Sequence, residues 1–252
     1  DMRHVGAEKI LDRLPGSREL SMVYAGLDPI YDPIPVRPGA HYHMGGVAAD
    51  VKMQTEVPGL LVAGEAVGGA NGANRLSGNA ITEALVFGRQ AGRTAAARVK
   101  TMNAVPAAGR AAEKPIDLIR AGPPNDAPNP AAMLVRLQAT MSDDVGPLRT
   151  EPKLARALAA INELSSALGH CPFGAGGAFD AQRLDWFDLR NMLTVARSVA
   201  EAALNRTESR GAHQREDFPE MQPQWQVNQV IRQGREGLEI SRVQASPAEA
   251  AQ

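Results

Sequence analysis

From Ala131 onward, apolar residues return every three or four positions. Met133, Leu134, Leu137 and Met141 form one such set, Leu154, Leu158, Ile161 and Leu164 a second, and Leu189, Leu193, Ala196 and Ala200 a third. Each set lies along one face of a helix, and three such faces predict a small bundle. The same spacing predicts a helix from Val5 to Leu14, closed by Leu14-Pro15-Gly16, and another from Arg18 to Leu27. A long helix is expected from about Ala80, with Ile81, Ala84, Leu85, Gly88 and Ala95 on one face. A different pattern appears at Leu60-Leu61-Val62-Ala63-Gly64-Glu65, a short apolar run behind the turn residues Val57-Pro58-Gly59, which reads as a buried parallel strand. Asp32-Pro33-Ile34-Pro35 must be extended, because alternating prolines forbid a helix. Residues 101–130 are rich in Ala, Pro and Gly, with Gly122-Pro123-Pro124 and Pro128-Asn129-Pro130, and read as a linker. Gly169 to Gly177 reads as a loop, beyond Pro219 only Trp225 and Ile231 offer anchors, and the residues from Gln244 read as a frayed tail.

The readable chemistry is concentrated between Arg37 and Glu83. The expected strand at 60–65 runs into a loop with Gly68, Gly69 and Gly72, and then into a helix for which Asn79 is a good N-cap. A helix N-terminus offers unpaired N–H groups and partial positive charge, so it favours an anion or an electron-rich carbonyl. Glu65, at the end of the strand, has the chemistry to accept ribose or ribityl hydroxyls. These features suggest a cofactor cradle, although the glycines alone also fit an ordinary strand–helix connection, since their spacing is not GxGxxG. Arg75 lies between loop and helix, and His41 lies in Ala-His-Tyr-His-Met-Gly-Gly, which reads as a bend. A guanidinium fork and an imidazole donor together suit a small carboxylate, while each alone also fits a structural role.

Composition narrows the class. The chain has 252 residues, 44% hydrophobic, with a formal net charge of −1. That is ample for a core and gives no basic excess, so no nucleic acid partner is expected. No apolar run approaches the roughly 20 residues of a membrane span. The single cysteine, Cys171, excludes an intramolecular disulfide and any cysteine-held iron–sulfur cluster, and fits a reducing compartment. The expected location is cytoplasmic, at most peripheral to a membrane complex.

The segments Arg37-Pro38-Gly39-Ala40-His41-Tyr42-His43-Met44-Gly45-Gly46, Gly59-Leu60-Leu61-Val62-Ala63-Gly64-Glu65 and Gly72-Ala73-Asn74-Arg75-Leu76-Ser77-Gly78-Asn79-Ala80-Ile81 occur in order. This series resembles the flavoprotein subunit of succinate dehydrogenase and fumarate reductase, a superfamily shared with L-aspartate oxidase. Asp1-Met2-Arg3-His4-Val5-Gly6 and Glu208-Ser209-Arg210-Gly211-Ala212-His213 extend the resemblance outward. It implies an α/β fold: the C-terminal part of a Rossmann-like FAD-binding domain plus a C-terminal three-helix bundle. The implied layout is the end of a capping region at 1–36, the FAD-domain part at 37–100, a linker at 101–130, the bundle at 131–214 and a tail at 215–252.

The resemblance also implies roles. His41 and Arg75 match the substrate-carboxylate ligands, Glu65 the carboxylate that holds the flavin's sugar-like chain, and Asn79, Ala80 and Ile81 the helix start that meets the isoalloxazine ring. The implied cofactor is FAD and the implied reaction is hydride exchange with a succinate- or fumarate-like dicarboxylate. Amino-dicarboxylate oxidation and a non-catalytic assembly role are the alternatives. No GxGxxG fingerprint follows a strand here, and the family's proton-shuttling arginine would lie upstream of the segment matching Asp1. The chain is therefore expected to work with an N-terminal FAD-binding and capping half, as a separate chain or a missing segment. An iron–sulfur subunit is implied by analogy. Asn71 stands where the family pattern has His, and Gly39 and His43 where it has Thr. Arg149 is expected to form an ion pair fixing its turn. Arg210 and His213 are expected to pack the bundle end against the cofactor domain, with approach to flavin or substrate as the alternative.

Overall fold

The computed structural model describes all residues except 37–38, 103–108, 123–127, 175–176, 178, 236 and 246–252. Arg37 and Pro38 of the first motif, and Pro123 and Pro124 of the expected linker, lie outside the described residues.

The chain divides into two units, Asp1–Gly39 and Ala40–Gln252. In the first, a 3₁₀ turn at Arg3–Val5 leads into helix α1 (Ala7–Arg13) and helix α2 (Pro15–Ala25). Pro15 does not merely end α1; it starts α2 as its first residue, where its fixed φ is already helical and its missing N–H costs nothing. Ile10 is fully buried, and Arg18 grips Asp28 through two N–H groups at 3.0 and 2.6 Å.

In the second unit, helix α3 (Asn79–Thr101) follows the glycine-rich loops. Helix α4 (Glu113–Arg120) interrupts the expected linker, and α5 (Pro130–Asp144), α6 (Glu151–Leu168) and α7 (Ala181–Asn205) follow. The three expected apolar faces meet: Leu137, Leu154, Ile161, Leu164, Leu189, Leu193, Ala196 and Ala200 share one buried core with Trp186, whose Nε1 donates to the Leu168 carbonyl at 3.1 Å. Truncating one such leucine to alanine costs about 2–5 kcal/mol. Each helix of this core has a side-chain N-cap. Asn129 accepts from Ala131 and Ala132 N–H, Thr150 from Lys153 N–H, and Asp180 from Arg183 N–H.

Strand content is small. Strand β1 (Leu148–Arg149) pairs in parallel with β2 (Gln214–Arg215), and β3 (Val227–Gln233) pairs antiparallel with β4 (Leu238–Gln244), in register from Val227 opposite Gln244 to Gln233 opposite Leu238. The expected tail therefore contains a hairpin. The expected strand at 60–65 is replaced by a single antiparallel bridge, Gln54 to Leu61, and a 3₁₀ turn at Gly64–Ala66. The apolar face expected on α3 is at the surface, with Ile81 and Leu85 about 70% exposed, because no sheet among the described residues packs against it. No described helix is long and apolar enough to cross a membrane.

Candidate functional site

The segment around His41 is fixed by two crossings. Val47 N–H donates to the Ala66 carbonyl at 2.8 Å, and Gly68 N–H returns the bond to the Val47 carbonyl at 3.0 Å. The two stretches of chain touch so closely there that a Cβ on Gly46 would lie 2.5 Å from the Ala66 oxygen, and one on Gly68 2.8 Å from the Gly46 nitrogen. Two glycines are what permit backbone-on-backbone contact at that point. Glu65, on the 3₁₀ turn beyond, accepts from the His43 N–H at 2.8 Å. The carboxylate assigned by resemblance to the cofactor thus also ties down the histidine segment.

Tyr42 carries that segment to Arg75. The Arg75 guanidinium lies over the Tyr42 ring, 4.4 Å from its centre, a cation–π contact. The Tyr42 hydroxyl donates to Glu83 Oε2 in a short hydrogen bond. Asn71 Nδ2 donates to the same Glu83 oxygen at 3.1 Å and reaches the Tyr42 oxygen at 3.5 Å. Glu83 is buried in the first turns of α3. Donation to Glu83, aided by burial, pushes the Tyr42 hydroxyl pKa upward. Arg75 itself is half-buried. Its Nη1 donates to the Leu76 carbonyl at 3.2 Å, and its Nε is buried without an acceptor among the described residues. A buried N–H of a cation left unpaired is costly, and it points to an acceptor that arrives from outside the chain.

Asn79 is not the N-cap. Gly78 occupies that position and Asn79 is the first helical residue, so α3, unlike α5, α6 and α7, begins with no side-chain cap. Glycine at the cap has no side chain to offer the helix; Asn79 N–H donates to the Leu76 carbonyl at 3.3 Å, while the N–H groups of Ala80 and Ile81 receive no side-chain cap. His41 is exposed, one residue from the Tyr42 that supports Arg75.

The second contact to this loop comes from the segment after α7. Ala212 N–H donates to the Ala73 carbonyl at 2.9 Å, two residues before Arg75. Gly211, at φ +57°, lies so near Ala73 that a Cβ would meet its oxygen at 2.4 Å. The residues that touch are therefore Gly211 and Ala212. Arg210 turns back to Glu208, with bonds of 2.8 and 2.9 Å, and His213 turns to Arg149, whose Nη1 sits 2.9 Å from His213 Nδ1. Arg149 forms no ion pair among the described residues: its Nε donates to the Val145 and Gly146 carbonyls at 3.2 and 3.0 Å, capping the end of α5. Burial, and then Arg149, push the His213 pKa down to about 4. Arg215 is fully buried, donates to the Ala203 and Leu204 carbonyls at the end of α7, and grips Asp217, whose pKa it pulls down to about 2.

Tyr42 and Glu83 are the residues of this cluster that the motifs do not single out; Asn71 is marked only as a departure from the family pattern. Both lie in the stretch from Arg37 to Glu83, and a lone carboxylate within the largely apolar first turns of α3 is the signal that marks Glu83.

Matches to known families define the class: a flavoprotein, in which an FAD-binding domain precedes a distinct C-terminal part. A family described as FAD binding domain matches residues 1–81, and one described as fumarate reductase flavoprotein C-term matches residues 135–250. Together these matches support a fragment of a succinate dehydrogenase and fumarate reductase flavoprotein. It is 36% identical over 250 residues to a fumarate reductase (CoM/CoB) subunit of Methanothermobacter marburgensis, covering 96% of this chain and 44% of that protein. It is 38% identical over 229 residues to the fumarate reductase flavoprotein subunit of Mycobacterium tuberculosis, covering 87% and 39%. Among solved structures it is similar to the Mycobacterium smegmatis Sdh1 complex in the apo form (TM-score 0.84, 36% identity, 99% of this chain, 44% of that one). It is also similar to a quinol-fumarate reductase with menaquinol molecules (TM-score 0.85, 30% identity, 99% and 45%). The chain spans less than half the length of the curated relatives it matches. These names give no support to amino-dicarboxylate oxidation.

Proposed function

We propose that this chain supplies the dicarboxylate-binding residues and one wall of the flavin site in an FAD-dependent oxidoreductase that interconverts a succinate-like and a fumarate-like dicarboxylate. The observation that carries this reading is Arg75, placed over the Tyr42 ring with its Nε buried and without an acceptor among the described residues, in a loop that runs directly into the start of α3, which has no side-chain cap. A carboxylate completes that guanidinium, and a bidentate or side-on pair is the geometry arginine favours. His41, one residue from Tyr42, adds a ring N–H donor to the same anion.

The residues fit FAD. Glu65 has the chemistry to accept ribityl hydroxyls, and the first-turn N–H groups of Ala80 and Ile81, next to Asn79, suit an electron-rich ring carbonyl. When bound, FAD supplies the two-electron chemistry by accepting or giving up the hydride. The chain's own contribution is positional. Arg75 and His41 hold the carboxylates so that the carbon to be reduced or oxidised is oriented, and the charge on Arg75 stabilises negative charge that spreads into the adjacent carboxylate. Reduction adds a hydride to one carbon and a proton to its neighbour; oxidation removes both. The proton is assigned to a group of the capping half, as the resemblance implies.

In this reading the residues from 37 to 100 are the C-terminal part of a Rossmann-like FAD-binding domain, and α5, α6 and α7 are a three-helix bundle beside it. The functional unit is a hetero-oligomer or longer polypeptide that contains an N-terminal FAD-binding and capping half, with an iron–sulfur protein as electron partner. In the complete FAD-loaded flavoprotein, Arg75→Ala should raise the KM for fumarate about 100-fold, the cost of removing a charged, hydrogen-bonded carboxylate partner. FAD content should stay unchanged. Loss of FAD with an unaltered KM would contradict the assignment.

A further inference from the structure

The arrangement around Arg75 contains a support that substrate binding alone does not require. A long guanidinium side chain has many rotamers, and freezing it in one costs entropy. Here its guanidinium carbon lies over the Tyr42 ring, 4.4 Å from the ring centre. Tyr42 is itself fixed, because its hydroxyl donates to Glu83, and Glu83 is buried on α3, a 23-residue helix. Asn71, in the loop between Glu65 and Arg75, donates to the same carboxylate oxygen at 3.1 Å. Tyr42 and Asn71 thus converge on one oxygen of Glu83, and the outcome of that convergence is the orientation of one ring.

We infer that Tyr42, locked by Glu83 and Asn71, is a positioning residue that holds the Arg75 guanidinium ready for a dicarboxylate. This rests on the dicarboxylate reading above. The hydroxyl-to-carboxylate bond has a second effect in the same direction. A phenol donating to an anion carries a more electron-rich ring, which attracts a cation on its face more strongly. Glu83 thereby acts on Arg75 through the ring without touching it. Asn71 suits this cluster because its amide donates a second hydrogen bond to the Glu83 oxygen that Tyr42 uses.

The test uses the complete FAD-loaded flavoprotein and malonate, a dicarboxylate that lacks two adjacent carbons to dehydrogenate, so that affinity is read without turnover. Titration calorimetry would give the malonate Kd for the parent, Tyr42→Leu, Arg75→Ala and the double variant, with FAD content checked by absorbance. Tyr42→Leu should weaken malonate about tenfold, the scale of a partly desolvated cation–π contact. It should raise KM for fumarate by a similar factor and change kcat less. In the Arg75→Ala background the same substitution should change Kd less than about twofold, because its effect passes through Arg75. If Tyr42→Leu does not fold, the same cycle is run with Tyr42→Phe, which keeps the packed ring and removes only the tie to Glu83, with an expected weakening of about threefold. A Kd unchanged by either Tyr42 variant, or a Tyr42 effect that persists in full without Arg75, overturns the inference. If Arg75→Ala itself leaves malonate affinity unaltered, the underlying dicarboxylate reading has failed.

Discussion

His213 has a fixed proton arrangement. Its Nδ1 faces an Arg149 N–H and so accepts, which places the ring proton on Nε2, where it donates to the Arg206 carbonyl at 3.2 Å. A second proton would have to enter at Nδ1, against burial and against Arg149, Arg206 and Arg215, which is why the pKa falls from 6.5 to about 4. The sign of the pH effect follows. Below pH 6.5 the unfolded chain takes up a proton that the folded chain refuses until about pH 4, so stability falls as pH drops through that window and His213 has no effect above it. Asp217 acts lower down. Its pKa is pulled from 3.8 to about 2 by Arg215, so its contribution is present above pH 3.8 and is lost as pH falls toward 2. Urea midpoints measured from pH 7 to pH 4 should decline in the parent and decline less in His213→Gln. A parallel decline in both proteins would mean that another group titrates there.

At the scale of elements, the turn at Arg210–His213 joins the end of α7 to the loop that carries Arg75. Gly211 permits this because it has a positive φ and no Cβ to meet the Ala73 oxygen. Gly211→Ala should destabilise the flavoprotein by about 1–3 kcal/mol from backbone strain, before any shift of the Ala73 loop is counted. Chemical denaturation would measure it, and a change below about 0.5 kcal/mol would show that the turn relaxes freely. The helices of this region were readable because Leu154, Ile161, Leu189 and Leu193 repeat at the helical period. The β3–β4 hairpin carried a fainter signal. Leu238 and Ile240 alternate with Glu239 and Ser241, and Gly234 and Gly237 mark the turn. The short apolar run at 60–65 misled because a strand needs a neighbour to pair with along its length, and among the described residues Leu61 has only the bridge to Gln54. The ion pair expected to fix the turn at Arg149 is not formed among the described residues; carbonyls at the end of α5 take its place.

For the whole molecule, the ordered motifs identified the family, while the support around Arg75 was hidden. His41, Glu65 and Arg75 are marked by residue type and by neighbours in sequence. The contact of Tyr42 with Glu83 joins positions 41 residues apart, and no local pattern encodes which carboxylate will meet which hydroxyl. The same limit hid the role of Gly211, whose partner Ala73 lies far up the chain. The central claim is that His41 and Arg75 present a dicarboxylate to bound FAD, and anaerobic absorption spectroscopy tests it most directly. Succinate added to the complete flavoprotein should bleach the flavin band, and the bleaching should vanish or need about 100-fold more succinate after Arg75→Ala, with the FAD still bound. Bleaching that is indifferent to Arg75, or a bound flavin that succinate never reduces in the parent, would contradict the account.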